Sequence, residues 1–357
     1  MSAVEVAAIA RRPLFSVIVN AYNVRGYIED ALASIKAQTF EDYEVILVDD
    51  GSTDGTVDVL RSFASSEPRA CMLARAHQGL LLARRAGLRA ARGTYVLFLD
   101  ADDCLHKRAL QRCAETIGST GADIVMFRYS READFSEGEE TGAPAPGLYR
   151  GAAFQEMRER LCRAQSVSIW GKAFRRSCID VEDDYAPYAD LVQGEDLFQN
   201  LPIFDRASSL VCLSDVLYFY RANPASLTAD FQPGMLDDYA VVCRRLREYA
   251  RSWGAACGEQ ALAGEAGMYR FALGLASTVM RPARAGAFEQ VRRAMLRDGA
   301  LSRAFEAPVP RHQRLLFSLL LRRRWLLLQL CISFGGMRYR LARMLDRQRS
   351  SWGRHHG

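Results

Sequence analysis

The chain has 357 residues, 49% apolar and 25% charged, ordinary proportions for a globular protein with one large domain and an appended part, or two domains. Its nine cysteines include no Cys-x-x-Cys pair, which argues against a disulfide framework or a zinc site and suits a reducing cytoplasm. The net charge of +5 is local: residues 311–357 hold eleven arginines against Asp346, while the other 310 residues carry 36 basic and 41 acidic side chains, so the basic character marks a partner surface.

The opening segment, with Glu5 in a weakly apolar stretch and no cleavage-like site, reads as lacking a signal peptide. Phe15 to Asn20 is β-branched and alternating, a strand. Ile28, Ala31, Leu32 and Ile35 recur at helical spacing. Glu44 to Val48 is a second strand, and Asp54 can cap a helix carrying Val57, Leu60 and Ala64. Cys71 to Ala74 is a third strand, with a helix over about 79–91 behind it. Tyr95 to Leu99 is the fourth strand; Leu110, Cys113, Ala114 and Ile117 stripe a helix; Asp123 to Tyr129 is the fifth strand. This alternation predicts an α/β fold, a mostly parallel sheet covered by helices. Residues 131–147 read as an exposed loop or insertion. Ser209 to Leu213 and Val216 to Arg221 read as two short strands joined at Ser214-Asp215, and the chain is helical from Met235 on.

Ligands in parallel sheets gather at the carboxyl ends of strands. Asn20, Asp49, Asp50, Asp100, Asp102 and Asp103 all fall there. Three carboxylates close behind one buried strand raise each other's pKa. A divalent cation relieves that conflict, and oxygen ligands suit Mg²⁺ or Mn²⁺, with open positions for substrate phosphates. The plainer alternative is a solvated turn, with Asp103 capping the next helix. Asp49-Asp50-Gly51-Ser52 is likewise either a capped turn or a site in which a carboxylate accepts the N3–H of a uracil base. Cys104 and His106 lack partners at ligand spacing and read as helix-start residues.

Val17-Ile18-Val19-Asn20-Ala21-Tyr22-Asn23, Val48-Asp49-Asp50-Gly51-Ser52-Thr53-Asp54 and Leu99-Asp100-Ala101-Asp102-Asp103, in this order and spacing, resemble the family 2 inverting glycosyltransferases with a GT-A fold, of the bacterial surface-polysaccharide type. Ser34 to Phe40, Gly79 to Gly87 and Gly93-Thr94-Tyr95 fit the same pattern, and the likeness covers roughly residues 14–130. The resemblance implies that Ala21, Tyr22, Asn23 and Asp50 hold the nucleotide, with Tyr22 stacking on the base. It places Arg84 by the base and phosphates, and Asp100 or Asp102 on the ribose. It gives Asp102 and Asp103 to the metal, directly or through water. Two positions depart from the family: Asn20 stands where Pro is usual, and Arg85 where Asn is usual.

Gly194-Glu195-Asp196-Leu197 is a second acidic site. Similar enzymes carry a Glu-Asp pair here, which implies Asp196 as general base and Glu195 as its support or an acceptor contact. Read without that context, the pair is a helix start favoured by the macrodipole. Arg221, followed by Ser226-Leu227-Thr228, resembles a stretch that closes over the diphosphate. Trp170-Gly171-Lys172 matches a recurrent family element, with Trp170 read as core or acceptor wall.

In the tail, Leu315 to Leu321 and Trp325 to Leu330 flank Arg322-Arg323-Arg324. Neither apolar run reaches the roughly 20 residues of a spanning helix. An amphipathic tail on an anionic membrane surface fits, as does a helix packed on the protein with a solvated arginine face. No aromatic-interleaved module accompanies the charge, so no nucleic-acid partner is expected.

The resulting expectation is a GT-A catalytic domain over 13–230 and a helical C-terminal region over 231–357 with a basic amphipathic tail. It would transfer a sugar from a nucleotide-diphosphate donor, UDP-linked, to a glycan or lipid-linked acceptor. It would be Mn²⁺- or Mg²⁺-dependent and cytoplasmic, peripheral on the inner face of the membrane. The rival is a non-catalytic nucleotide-sugar or glycan-binding protein tethered at the membrane.

Overall fold

The computed structural model describes residues 12–136, 138, 143–222 and 230–334. The chain divides into two compact units, residues 1–161 with 165–226, and residues 162–164 with 227–357. The first unit begins β1 (Phe15–Ala21), α1 (Ile28–Lys36), β2 (Tyr43–Asp49), α2 (Thr56–Ser66), β3 (Ala70–Ala74), α3 (Leu80–Ala90), β4 (Tyr95–Asp100). β1 and β2 are buried along their whole length, which is why apolar residues run through them with little alternation. β2 and β3 lie on one side of β1 and β4 on the other, all parallel. Parallel neighbours need crossovers, and the intervening helices supply them. The strand order reverses between β1 and β4, where such sheets open a crevice at their carboxyl ends. There the register sets Asn20 opposite Asp100, and Ala21 opposite Asp49 on the other flank.

The unit continues with β5 (Cys104–Leu105), α4 (Ala109–Thr120), β6 (Ile124–Ser130), β7 (Gly147–Arg150), α5 (Ala152–Cys162), β8 (Lys172–Arg175), α6 (Glu195–Arg206) and β9 (Ser209–Phe219). β8 runs antiparallel between β4 and β6, so its first residue, Lys172, lies toward the carboxyl end of β4. β9 is one strand, where the pattern predicts two short ones. The turn at Ser214-Asp215 is instead an irregularity in register against β6. Asp215 is held there by the Arg112 guanidinium at 2.8 Å, and the strand resumes to pair β5. Two expected caps also differ. Gly55, with φ +89°, precedes α2, while Asp54 accepts the Thr56 and Arg25 N–H groups at 3.0 and 2.9 Å. Arg108, not Asp103, precedes α4.

The second unit consists of α7 (Met235–Trp253), α8 (Ala255–Thr278), α9 (Arg284–Arg297), α10 (Ala300–Glu306) and α11 (Arg311–Leu321), with a further helical run over 325–334. Its core gathers Tyr239, Tyr269, Leu273, Phe288 and Val291. The start of the basic tail belongs to this core: Leu316, Phe317, Leu320 and Leu328 are buried in it. The opposite face leaves Leu315, Leu321, Leu326, Leu327, Leu330 and Phe334 exposed. Among the described residues no helix is long and apolar enough to cross a membrane. Met337 to Arg349 lies outside the described residues.

A buried carboxylate ties β1, β2 and the approach to β4 together. Glu44 accepts from Ser16 Oγ and the Arg92 N–H at 2.6 Å each, and from Arg92 Nε at 2.9 Å. Gly93 must be glycine here, since a Cβ would stand 2.5 Å from the Ser16 nitrogen. Burial pushes the Glu44 carboxyl up, but the bonds from Ser16 and Arg92 outweigh it and hold the group below its ordinary range. Glu44 therefore contributes stability above the ordinary carboxylate pKa and loses it as pH falls through the folded value. Glu44→Gln should lower stability at neutral pH by about 1–3 kcal/mol. Urea melts at neutral and acid pH should show that gap closing in acid.

Candidate active site

Asp50 follows directly on β2 and is buried, and its carboxylate serves the loop before α3. Oδ2 accepts the Gly79 N–H at 2.8 Å, both oxygens accept the Gln78 N–H at 3.2 Å, and His77 Nδ1 lies 2.9 Å from Oδ2. The Asp50 N–H in turn donates to the Ala21 carbonyl at 2.9 Å. Tyr22, exposed at the end of β1, stacks on the His77 ring at 4.0 Å between centroids. Asn23 is held in the left-handed region (φ +51°) by the neighbouring turn: its N–H donates to Ser52 Oγ at 3.0 Å, and its Oδ1 accepts the Thr53 N–H at 2.8 Å. Ala21, Tyr22, Asn23 and Asp50 thus form one connected corner of the sheet.

The acid cluster behind β4 is less uniform than its sequence. Asp103 faces inward: Oδ2 accepts from Tyr218 Oη at 2.7 Å and Oδ1 from the Arg221 N–H at 2.8 Å. Burial, then the charge of Asp100, pushes Asp103 up to about 8. Asp100 and Asp102 are only partly covered. Asp100 rises to about 6, chiefly through burial; Arg84 opposes this, and the charges of Asp196 and Asp102 add to it. Arg221 Nε donates to the Asp102 carbonyl and Nη2 to the Asp30 carboxylate, both at 2.8 Å. Ser226-Leu227-Thr228 lies outside the described residues. Asn20, 6% exposed beside Asp100, has neither side-chain polar atom hydrogen-bonded within the protein. Buried amides in that state await a ligand or water. Among the described residues no three His, Cys, Asp or Glu side chains are grouped to hold a metal.

Asp196 lies 112 positions after Arg84, yet the two meet. Gly194, with φ +83°, turns the chain into α6, whose first two residues are Glu195 and Asp196. Arg84 projects from α3, 1% exposed, and donates from Nη1 to Asp196 Oδ1 at 2.7 Å and from Nη2 to Asp100 Oδ1 at 3.3 Å. Glu195 Oε1 lies 3.8 Å from the same guanidinium. Burial, then the charge of Asp196, raises the Glu195 carboxyl. Arg84 thus stands between the two acidic sites.

The sequence profile described as Glycosyl transferase family 2 matches residues 16–181. AglE, a glycosyltransferase of Haloferax volcanii, is 30% identical over 220 residues, 59% of this chain and 68% of AglE. The chain belongs to glycosyl transferase family 2. EpsJ of Bacillus subtilis, an uncharacterized glycosyltransferase, is 33% identical over 228 residues, 62% of this chain but only 65% of EpsJ. Crystal structures of Staphylococcus aureus TarS with UDP and with UDP-GlcNAc share the fold, each at TM-score 0.63. They are 18% and 17% identical, and each comparison covers 90% of this chain and 91% of the crystallised TarS segment, residues 1–349. The α/β architecture is therefore the GT-A fold of the family.

Several site residues of this family 2 chain were not evident from its motifs. Tyr218 and the Arg221 backbone hold Asp103 because β5 pairs with the end of β9, a two-residue strand that periodicity does not reveal. His77 sits in a stretch with no pattern. Trp170 stacks on Tyr218 and Tyr220 at 4.7 and 5.1 Å, buttressing the residue that holds Asp103. Arg85 is buried; its Nη2 donates to the Asp183 carbonyl at 2.9 Å and its guanidinium lies over the Tyr185 ring, so it neither decorates an open helix face nor stands in solvent.

Removing the Arg84 guanidinium would leave Asp196, Asp100 and Glu195 crowded without a counter-charge. Arg84→Leu should lower stability by about 3–5 kcal/mol. Adding Asp196→Asn to that variant should recover part of the loss, as chemical denaturation of both would show.

Proposed function

We propose that this chain is a metal-dependent inverting transferase. It moves a sugar from a UDP-linked donor to a hydroxyl of a glycan or lipid-linked acceptor, with residues 13–230 as the catalytic domain. The observation that carries the reading is the Arg84 junction, which sets Asp196 beside the acid cluster. Inversion needs a base on the face opposite the departing diphosphate. Asp196 Oδ1 is held by Arg84, so Oδ2 is the oxygen that takes the hydroxyl proton. Glu195, raised toward its neutral form, supports the acceptor by hydrogen bonding.

The uridine assignment draws on the UDP bound to TarS. Tyr22 offers the base a ring, and Asp50 a carboxylate for its N3–H. His77 stands on both, over the Tyr22 ring and against Asp50 Oδ2, so a displacement of His77 uncovers the ring and removes one of the groups around the Asp50 carboxylate. Asn23 shapes the turn beside them, Asn20 brings an unengaged amide, and Arg221 lies over the acid cluster, where the diphosphate would come.

Carboxylate oxygens alone, with a diphosphate and waters completing the shell, suit Mn²⁺ or Mg²⁺. Asp102 would hold the cation, with Asp100 beside it. Asp103, the second ligand expected from the sequence, has both oxygens engaged and would act through water or from behind. The cation, when bound, takes up negative charge on the departing diphosphate.

The exposed leucines of the tail, set beside Arg322, Arg323 and Arg324, match an anionic membrane surface, as a lipid-linked acceptor on the cytoplasmic side would require.

Three measurements test these readings. Calorimetry with UDP, GDP and CDP should show Mn²⁺-dependent binding of UDP. Asp196→Asn should keep that affinity and lose about 10²–10⁴-fold in transfer; undiminished turnover would move the base elsewhere. Leu326→Gln with Leu327→Gln, both outside the core, should leave the melting temperature unchanged and cut sedimentation with anionic vesicles by about tenfold or more. Unchanged sedimentation would rule out a membrane role for that face.

A further inference from the structure

Lys172 is one of three lysines in the chain and is 1% exposed. A buried ammonium is unfavourable unless it is well paired. Among the described residues no carboxylate lies within ion-pair distance of this one. Its Nζ donates to the Ser168 carbonyl and, at 3.3 Å, to Ser168 Oγ. Burial brings the ammonium down to about 8, against the pull of Asp196, the first charge it feels. It is too deeply covered to meet a substrate, so its use must pass through its neighbours.

Those neighbours lead to the base. Asn200, 0% exposed on α6, donates from Nδ2 to the Val167 carbonyl at 2.6 Å, to the Ser168 carbonyl at 3.4 Å and to the Asp196 carbonyl at 2.9 Å. Lys172 therefore fixes, from one side, the backbone segment to which Asn200 ties the first turn of α6 from the other. Ser166, just before it, has φ +55°, a bend that a non-glycine residue keeps only when its surroundings hold it. Lys172 itself is locked in the sheet, in register with Met126 of β6. Two residues earlier, Trp170 stacks on Tyr218, which holds Asp103. One short segment thus reaches both the acid cluster and the base-bearing helix.

We propose that Lys172 is a positioning residue for Asp196: by holding the Ser168 carbonyl it fixes where the first turn of α6 stands relative to the acid cluster. The inference rests on the reading of Asp196 as general base. It accounts for a charge kept in the core without a counter-ion, which packing alone would disfavour.

The test uses the full chain carrying Lys172→Met. UDP binding is measured calorimetrically with Mn²⁺, and turnover as UDP release from the best donor in a panel starting with UDP-GlcNAc. A displaced base slows the chemical step, so kcat should fall about 10–100-fold. Affinity for UDP should stay within about twofold, since the donor corner built on Asp50 and Tyr22 is untouched. Asn200→Ala, which cuts the same link from the other end, should give the same split and decides the matter where Lys172→Met does not fold. Turnover equal to the wild type in a folded variant overturns the role of Lys172 alone. So does a parallel loss of kcat, UDP affinity and melting temperature in both variants, the mark of a merely structural residue. A wild-type chain that binds no UDP overturns the transferase reading itself.

Discussion

Arg84 is a guanidinium with almost no access to water, and three carboxylates converge on it from two distant parts of the chain. Each of them is unfavourable in that setting by itself. Asp100 is raised by burial, Glu195 by burial and by Asp196, and the arginine charge opposes both shifts. Breaking such an arrangement from one side is strongly destabilising, because it strands the partners. The site is therefore built under constraint: α3, the end of β4 and the start of α6 must be in place together or the charges are not compensated. The same constraint sets the end of β4 and the start of α6 at a fixed separation, the spacing that the proposed transfer between two bound substrates needs.

Around this junction carboxylates are engaged in structure. Asp103 gives both oxygens to Tyr218 and Arg221, and Asp50 gives most of its capacity to the amides of Gln78 and Gly79. A row of aspartates in the sequence is thus not a row of equivalent ligands. Asp102 and Asp100 remain partly open, while Asp103 stands behind them. Behind these groups lie the aromatic stack of Trp170 on Tyr218 and the buried Lys172. Under the proposed role of Asp196 as base such backing matters, since a displacement of about 1 Å is enough to slow the chemistry.

The tail shows the same division of labour. Leu316, Phe317, Leu320 and Leu328 complete the core of the helical unit, while Leu326, Leu327 and Leu330 point outward near three arginines. Packing and surface binding were alternatives at the level of the sequence; the helix faces make them compatible. Trp325 illustrates the difference: its ring stacks near Phe288 at 6.1 Å and belongs to the packed face, not the free one.

By itself the sequence determined what depends on neighbours along the chain. Periodicity placed β1 to β4 and their helices, because burial on both faces of a parallel strand leaves a continuous apolar run. The ends of those runs placed Ala21, Tyr22, Asp50, Asp100 and Asp102 at one edge of the sheet, because parallel strands all end on the same side. What only the tertiary structure decided depends on residues far apart in sequence. β8 inserts antiparallel between β4 and β6, and nothing in so short a strand announces a direction. β9 stays whole because Arg112 holds Asp215. Which oxygens of Asp103 and Asp50 are already engaged, and that Arg84 joins Asp100 to Asp196, follow from long-range contacts. Hydrogen bonds and ion pairs of that kind are set by the approach of separate elements in space, and local pattern carries no record of them.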